Sequence, residues 1–199
     1  MAARQSAGRG RRGAIWQGAE GNLMATLLLS PPGNFAQLSF AAALAVADMV
    51  QHFAPAARIT LKWPNDVLAD NRKLAGILLE SGSGWLAIGI GINLAAHPEG
   101  TEFPATSLAA LGVVPPKLEE ALTLLAARFA HWYDRWMSEG FEALRTAWLA
   151  RAPQLGAPIR ARLPHETRHG LFAGIDAGGA LLLREPAGVR AIAAGEVFF

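Results

Sequence analysis

Three segments of the sequence combine charged or polar side chains with glycine in a way that suits the binding of an anion. The first is residues 8–13 (GRGRRG), which formally matches the glycine fingerprint of dinucleotide-binding proteins. That fingerprint needs a strand before it and a helix after it, but only seven residues precede Gly8 and glycines follow closely. We therefore interpret the segment as a mobile loop, neither helix nor stable strand, whose arginine side chains and N–H groups close over a phosphate and a carboxylate. The alternative is a solvated flexible arm.

The second segment begins and ends with a lysine, since residues 62–73 (KWPNDVLADNRK) contain two of the three lysines in the chain. In a protein that otherwise uses arginine, a lysine indicates a site that needs a compact point charge. Asp66 and the neighbouring Asn65 offer oxygen atoms of the kind that Mg²⁺ prefers. The pattern taken alone favours a plainer alternative, in which Asn65 and Asp66 form an ordinary turn and Lys73 is an exposed hairpin lysine.

The third segment is an apolar run with alternating glycines, residues 89–93 (GIGIN). Glycines on one face of a strand predict that something packs closely against that face, and Asn93 would end the strand with a polar amide. The alternative is a bulge followed by a turn asparagine. The five histidines show no spacing typical of a metal site, so we assign them no role.

The elements that must position these segments can be predicted from apolar runs and from turn residues. An alanine-rich stretch predicts a helix over residues 37–53, and residues 101–112 read as a loop with a short helix. The predicted strands are residues 23–30, 58–63, 67–69, 73–80 and 85–94, of which the third and fourth form a hairpin. This arrangement predicts an antiparallel or mixed sheet with helices on one face.

The pattern of residue types along the sequence changes near Gln154. Before it, the spacing of leucine and aromatic residues predicts two helices, over residues 116–138 and 141–151. After it, glycines separate short apolar runs, which predicts a small β-barrel or sandwich. We therefore expect an α+β protein with two domains, residues 1–153 and 154–199.

Composition limits the classes of protein to which the chain can belong. Hydrophobic residues make up 52% of the 199 residues and charged residues 17%, so the chain has material for a core and is not disordered. Apolar runs are too short to span a membrane, and the lack of cysteine excludes disulfides and suits a reducing compartment. The net charge of +2 conceals four arginines among residues 1–12, a local patch that suits a small anion better than nucleic acid. We expect a cytoplasmic protein without a membrane or DNA partner.

Taken together, the three segments make the sequence similar to the bacterial biotin protein ligases, from about Ala3 onward. The segments that carry the resemblance are residues 5–13 (QSAGRGRRG) with Trp16, 21–23 (GNL), 62–66 (KWPND), 72–78 (RKLAGIL) with Glu80, 89–93 (GIGIN) and 195–196 (GE). GRGRRG and KWPND in this order are highly specific to the family. The resemblance implies a catalytic domain related to class II aminoacyl-tRNA synthetases, followed by an SH3-like C-terminal domain.

The resemblance also implies a reaction, with ATP and Mg²⁺ as cofactors and biotin as substrate. Such enzymes form biotinyl-5′-AMP and pyrophosphate, and then transfer biotin to a lysine of the biotin carboxyl carrier protein of acetyl-CoA carboxylase. Bringing a carboxylate to a polyphosphate sets two anions against each other, which explains why the site needs fixed cations.

Matched by position, the resemblance implies roles for individual residues. Lys73, the leading catalytic residue, would bridge the biotin carboxylate and the α-phosphate, with Arg9 and Arg11 beside it. Asp66 would hold Mg²⁺ or contact the carrier lysine. The residues implied to bind biotin or its adenylate are Gln5, Gly8, Arg9, Gly10, Arg11, Lys73 and Gly76, and those implied to contact the nucleotide are Arg12, Trp16, Asn22 and Asn93.

Two departures from the family pattern set further expectations. Ala14 stands where the family usually has another arginine, and the chain begins almost on the glycine loop. We therefore expect a catalytic domain that is N-terminally incomplete and binds biotin weakly. The alternatives are an impaired biotin- or biotinyl-AMP-binding protein of the same fold, a lipoate or octanoate ligase, and a nucleic-acid binder with a basic arm. We also consider a homodimer.

Overall fold

Two antiparallel five-stranded sheets and three α-helices make up the part of the chain that the computed structural model describes. The described residues are 1–2, 5–31, 33, 35–153 and 155–199, with the backbone alone for Arg12. This arrangement confirms the predicted α+β class. None of the described helices is both long enough and apolar enough to cross a membrane.

The first sheet takes all of its strands from the first half of the chain. They are β1 (Leu23–Leu29), β2 (Ile59–Lys62), β3 (Asp66–Ala69), β4 (Arg72–Gly82) and β5 (Trp85–Ile92). Their order across the sheet is β1-β5-β4-β3-β2, and each neighbouring pair is antiparallel. Asp70 and Asn71 join β3 to β4 with positive φ angles, as a tight hairpin turn requires. The predicted strands and hairpin are confirmed, and the sheet is antiparallel rather than mixed.

Helix α1 (Leu38–Phe53) lies at the centre of the core. It is buried on nearly all sides because it packs on the first sheet and also on α2 (Leu118–Glu139) and α3 (Phe141–Leu149). The indole N–H of Trp132 in α2 donates a hydrogen bond of 2.7 Å to Asp48 of α1, so the acidic residue of this buried helix has a partner. All three helices lie close to their predicted bounds.

The second sheet contains the C-terminal strands. They are β6 (Pro158–Arg162), β7 (Thr167–Ile175), β8 (Leu181–Glu185), β9 (Gly188–Ile192) and β10 (Glu196–Phe198). Their order is β10-β6-β7-β8-β9, and within the described residues no pairing joins β9 to β10. Within the described residues the second sheet is therefore open rather than closed into a barrel, since β10 pairs with β6 alone, and the predicted SH3-like form of this part stays a prediction. Gln154, at the predicted domain boundary, lies outside the described residues.

Side chains from the end of β2 and from α3 contact the second sheet and hold it against the rest of the chain. Trp63, which follows β2, donates a hydrogen bond of 3.1 Å from its indole nitrogen to the carbonyl of Gly179. Trp148 of α3 packs edge-on against Phe172 of β7. The strands β6 and β10 consequently lie beside the KWPND segment at the end of β2.

Candidate active site

A β-bulge in β4 turns Lys73 toward the face of the first sheet that lies opposite the helices. The pairing of β3 with β4 shifts in register at Leu74, which is an extra residue on β4. Leu74 and Ala75 are both buried in the core, so Lys73 and Gly76, three positions apart, share the other face. In a regular strand, residues at that spacing would point to opposite faces. A β-carbon placed on Gly76 would lie 3.4 Å from Cε of Lys73, which shows how closely the lysine passes over this glycine.

Asp66 lies between the ammonium groups of two lysines. Its Oδ1 atom is 2.6 Å from Nζ of Lys73, and its Oδ2 atom accepts a hydrogen bond of 3.1 Å from Nζ of Lys62. Burial by itself raises the pKa of Asp66, but the charges and hydrogen bonds of the two lysines outweigh that effect, so the pKa lies below its ordinary value of 3.8. The carboxylate is therefore ionised at neutral pH and keeps two like charges close together.

The indole ring of Trp16 covers two glycines on this same face. Gly76 of β4 and Gly91 of β5 are paired across the sheet, and a β-carbon on Gly91 would lie 2.4 Å from Cε2 of Trp16. Only glycine leaves room for the ring at Gly91, which confirms the predicted close packing against the glycine face of β5. The Nε1 atom of Trp16 is buried and has no hydrogen-bond partner among the described residues. A ligand that accepts a hydrogen bond would satisfy it.

The glycine-arginine loop folds back on itself. The carbonyl of Gly8 accepts a hydrogen bond of 3.0 Å from the backbone N–H of Trp16, and the N–H of Gly10 donates one of 2.7 Å to the carbonyl of Ala14. Between them, Arg11–Gly13 forms a single 3₁₀ turn. The segment forms no α-helix or named strand, as predicted, but the prediction did not foresee this turn or the pairing of the loop with the residues that follow it. A β-carbon on Gly8 would lie 2.3 Å from the carbonyl oxygen of Trp16, so this position requires glycine.

The second sheet provides the opposite wall. Arg162 of β6 donates hydrogen bonds of 2.8 and 2.9 Å to the carboxylate of Glu102 and one of 3.0 Å to Glu196. The hydrogen bonds from Arg162 hold the pKa of Glu102 below its ordinary value. Phe103, beside Glu102, places its ring centroid 4.4 Å from Nζ of Lys62. The buried lysine is thus held by a carboxylate on one side and an aromatic ring on the other.

These elements enclose a cleft of about 420 Å³. Its floor is the glycine face of β4 and β5, and its two walls meet where Nη1 of Arg11 donates to the carbonyl of Gly195 at 3.5 Å. The charged residues that line it are Arg9, Arg11, Lys62, Asp66, Lys73, Glu80, Glu102, Arg162 and Glu196. Cationic groups from separate parts of the chain converge on one cavity, which suits a ligand that carries phosphate or carboxylate groups.

Comparison with known proteins identifies the family. The model of the biotin/lipoate A/B protein ligase family matches residues 1–95, and that of the biotin protein ligase C terminal domain matches residues 155–199. The biotin–[acetyl-CoA-carboxylase] ligase of Paracoccus denitrificans is 49% identical over 215 residues, which include 100% of this chain and 89% of that protein. The chain belongs to the biotin protein ligase family.

Two further members of the biotin protein ligase family agree with this assignment. The biotin–[acetyl-CoA-carboxylase] ligase of Mycobacterium tuberculosis is 34% identical and aligns with 99% of this chain and 77% of its own length. The solved structure of biotin protein ligase from Aquifex aeolicus in complex with biotin and ATP matches with a TM-score of 0.87 at 28% identity, over 98% of this chain and 85% of that one. The biotin protein ligase fold therefore extends over nearly the whole chain.

Most residues that the sequence assigns to a biotin protein ligase site line the cleft. They are Gln5, Arg9, Gly10, Arg11, Trp16, Asp66, Lys73 and Gly76. Gly8 is not among the lining residues, but its carbonyl fixes the backbone of Trp16. The side chain of Arg12 lies outside the described part of the chain. Contacts of all these residues with biotin or nucleotide remain predictions.

Asn22 and Asn93 are buried and do not belong to the described lining of the cleft. The side-chain oxygen of Asn22 accepts hydrogen bonds of 3.0 and 3.1 Å from the N–H groups of Ala95 and Ala96. Asn93 donates a hydrogen bond of 3.1 Å to the carbonyl of Thr106. Buried amides that bond to the backbone hold loops in place, so the observed role of both residues is to fix the segments that follow β5. Their implied contact with the nucleotide stays a prediction.

The surroundings of Asp66 do not fit a Mg²⁺ ion. Both carboxylate oxygens contact ammonium groups, and no group of three histidine or acidic residues that could hold a metal occurs among the described residues. A divalent cation at this carboxylate would lie beside two positive charges. The geometry therefore gives no support for Mg²⁺ at Asp66, and both the Mg²⁺ assignment and the contact with the carrier lysine remain predictions.

Sequence reasoning assigns no catalytic or binding role to Lys62, Arg162 and Glu102, which complete the cleft. Lys62 has a recognisable signal, since it lies four positions before Asp66 across a proline-containing turn. Arg162 and Glu102 have no such signal, because 60 positions separate them and either could pair with another surface charge. They come together only when the second sheet packs against the first.

Proposed function

We propose that this chain is an ATP-dependent biotin–protein ligase, which activates biotin as biotinyl-5′-AMP and transfers it to a lysine of the biotin carboxyl carrier protein of acetyl-CoA carboxylase. The observation that carries the proposal is the cluster of Lys62, Asp66 and Lys73 in the cleft of a chain that belongs to the biotin protein ligase family. Biotin and ATP are the ligands of the Aquifex aeolicus relative.

The first chemical step joins two anions. An oxygen of the biotin carboxylate attacks the α-phosphorus of ATP, the bond from that phosphorus to the bridging oxygen of the β-phosphate breaks, and pyrophosphate leaves. Lys73 would lie between the carboxylate and the α-phosphate as a compact charge, while Arg9 and Arg11 offer planar, multidentate donors from the loop. Cations that are already in place stabilise the charge that develops at phosphorus without having to reorganise.

The floor of the cleft explains how these cations stay in place before the ligands bind. Asp66 binds both lysines, so it offsets the repulsion between their ammonium groups. The indole ring of Trp16 packs directly on Gly76 and Gly91, so the ring itself forms part of the floor on which a ligand can lie. The two lysines line the same cleft as this ring, as a reaction between two bound ligands requires.

The second chemical step transfers biotin to the carrier. The ε-amine of the carrier lysine attacks the carbonyl carbon of biotinyl-5′-AMP, the bond from that carbon to the phosphate oxygen breaks, and AMP leaves, while a proton passes to solvent. The lowered pKa of Asp66 keeps its carboxylate ionised, and the incoming amine would take over one of the contacts that this carboxylate makes to Lys62 and Lys73. Closure of the glycine-arginine loop would keep water away from the mixed anhydride.

The test is the complete reaction with purified components. The chain is mixed with biotin and Mg·ATP, pyrophosphate release is followed in a single turnover, and a carrier domain is then added and analysed by mass spectrometry. We expect pyrophosphate release only when biotin is present, followed by biotin on the carrier. Biotin binding without pyrophosphate release would favour a binding protein, and activity with lipoate or octanoate in place of biotin would favour that class of ligase.

The proposal extends to the organisation of the chain and to its setting. We propose a catalytic domain over residues 1–153 and an SH3-like domain over residues 154–199, a division supported by the two family models that match residues 1–95 and 155–199. We place the reaction in the cytoplasm because it consumes ATP and biotin. Separate expression of residues 155–199, followed by circular dichroism, tests whether the second part folds on its own.

A further inference from the structure

We infer that Arg162 is a positioning residue for adenylate formation: with Glu102 and Glu196 it fixes residues 102–106, a strip of chain that holds the backbone of Lys73. The inference rests on the proposed function, in which Lys73 is the cation between the two reacting anions. The group formed by Arg162, Glu102 and Glu196 is called the arginine bridge.

The backbone of Lys73 is held by residues 104–106. Pairing between β4 and β5 begins only at Ala75, so β5 does not support Lys73. The neighbouring strip takes its place, because the N–H of Lys73 donates a hydrogen bond of 2.7 Å to the carbonyl of Pro104, and the N–H of Thr106 donates one of 2.9 Å to the carbonyl of Lys73. Lys73 keeps its register with Leu68 of β3, but it lies next to the bulge, where that pairing shifts, so residues 104–106 fix its other edge.

The arginine bridge fastens the start of the strip. Glu102 lies two residues before Pro104, and each of its carboxylate oxygens accepts a hydrogen bond from a different nitrogen of Arg162, at 2.8 and 2.9 Å. Such a two-point contact fixes the orientation of the carboxylate as well as its position. The same guanidinium donates from Nε to Glu196 at 3.0 Å, so the strip is joined to β6 and β10 together.

Phe103 provides a second link from the strip to the lysine cluster. Its ring centroid is 4.4 Å from Nζ of Lys62 and 5.6 Å from the centroid of the Phe199 ring. The strip therefore touches the side chain of Lys62 through Phe103 and the backbone of Lys73 through residues 104–106. A shift of the strip would move both cations relative to the glycine face.

The exposure of the bridge indicates that it contributes more to positioning than to stability. The side chains of Arg162 and Glu102 are 41% and 58% exposed. Exposed ion pairs contribute little to folding, whereas a catalytic group misplaced by about 1 Å can slow a reaction about a hundredfold. Loss of the bridge should therefore appear in the reaction rate rather than in the melting temperature.

The experiment compares Arg162→Ala with a matched control, Arg168→Ala. Arg168 lies in the same sheet, likewise binds two glutamates, Glu166 at 2.8 Å and Glu185 at 3.1 Å, and is not among the described residues that line the cleft. Any general effect of removing a doubly paired arginine from this sheet will therefore appear in both variants.

Two readouts report on position. In the ligand-free chain, hydrogen exchange at the N–H groups of Lys73 and Thr106 should be faster in Arg162→Ala and unchanged in Arg168→Ala. In single turnovers with saturating biotin and ATP, Arg162→Ala should form biotinyl-5′-AMP about ten- to a hundredfold more slowly, with a melting temperature within about 4 °C of the parent. Arg168→Ala should react at the parental rate.

Glu102→Gln distinguishes positioning from direct contact between Arg162 and a substrate. Glu102→Gln removes the charge at the far end of the bridge and leaves Arg162 in the cleft. If Arg162 acts by positioning, Glu102→Gln should also slow adenylate formation. The double variant with both Arg162→Ala and Glu102→Gln should then be no slower than Arg162→Ala alone. The inference is overturned if Arg162→Ala exchanges and reacts like the parent, or if Arg168→Ala is slowed as much. It is also overturned if the only effect is a raised KM for ATP that Glu102→Gln does not share. A parent chain that forms no adenylate would refute the proposed function, while the exchange data would still show whether the bridge holds Lys73.

Discussion

Replacing Gly91 with alanine should destabilise the chain through one contact, that with Trp16. The added methyl group would lie 2.4 Å from Cε2, 2.5 Å from Cζ2 and 2.7 Å from Nε1 of the indole. Carbon atoms pack at about 3.5–4.0 Å, so the ring has to retreat by about 1 Å from the floor of the cleft. Gly89, on the same face of the same strand, is the matched control, because a methyl group there would meet Leu78 only at ordinary contact distances of 3.5 and 3.8 Å.

The two substitutions share one effect and differ in the other. Each glycine has an extended backbone that alanine can adopt, so each alanine should stabilise the chain by about 0.4–1 kcal/mol through the lower entropy of the unfolded state. Only Gly91→Ala adds a clash, and forcing an extra methyl group into a packed site costs about 1–3 kcal/mol. The variant at Gly91 should therefore be about 1–3 kcal/mol less stable than the variant at Gly89.

Urea unfolding of the ligand-free chain, followed by circular dichroism, measures this difference. The same pair of substitutions is then compared in a Trp16→Ala background, where the indole ring that the added methyl group at Gly91 meets is absent. If Trp16 is the cause, the gap between Gly91→Ala and Gly89→Ala should close in that background. Equal stability of the two variants in the parent chain, or a gap that survives the removal of Trp16, would refute the close packing described above.

Three further predictions concern the charged residues of the cleft. Lys73→Ala should remove about 3 kcal/mol or more of transition-state stabilisation and so slow adenylate formation, measured by ATP–pyrophosphate exchange. Lys117→Ala, which is remote from the cleft, should behave like the parent. Asp66→Asn should lose about 3 kcal/mol of stability at pH 7, because it leaves two clustered ammonium groups without their carboxylate. The pKa of Asp66 is lowered from 3.8, so the contribution of its carboxylate to the free energy of unfolding is complete above that pH and is lost as the pH falls through the folded-state pKa. The difference in stability between the parent and Asp66→Asn should therefore narrow in acid. A difference that stays constant with pH would contradict the ion-pair assignment. Arg11→Gly should release biotinyl-5′-AMP faster, seen as biotin on lysines of bystander proteins, and equal retention of the adenylate would count against a clamping role for Arg11.

Local signals explain why the first sheet and much of the cleft could be predicted from the sequence. The β3–β4 hairpin depends on Asp70 and Asn71, and residue types that tolerate positive φ mark such a turn in any sequence. The glycines of β5 indicated close packing because a missing side chain is itself a local feature. The arginines of the loop and the isolated lysines indicated anion chemistry by their type alone.

The remaining features depend on contacts that a single sequence does not encode locally. The bulge at Leu74 left one trace, the two consecutive apolar residues between Lys73 and Gly76, which break the alternation of a regular strand. The strand β10 is only three residues long and exists because it pairs with β6, so its own residues give a weak signal. The 3₁₀ turn in the loop was missed for a similar reason, since it follows from pairing with Ala14 and Trp16.

The hydrogen bond from Arg11 to the carbonyl of Gly195 joins positions 184 residues apart, so the cleft of a newly made chain is complete only after both segments have been synthesised. During translation the N-terminal part of a protein leaves the ribosome first and folds as far as it can. The first sheet needs only residues 23–92, so the glycine face can form while the rest is still being synthesised. The wall that contains Gly195 emerges later, since Gly195 follows Ile92 at the end of β5 by 103 residues, so we expect a nascent chain that lacks this wall to release any adenylate that it forms. Synthesis of the wall would therefore be the step that lets the site retain its reactive anhydride.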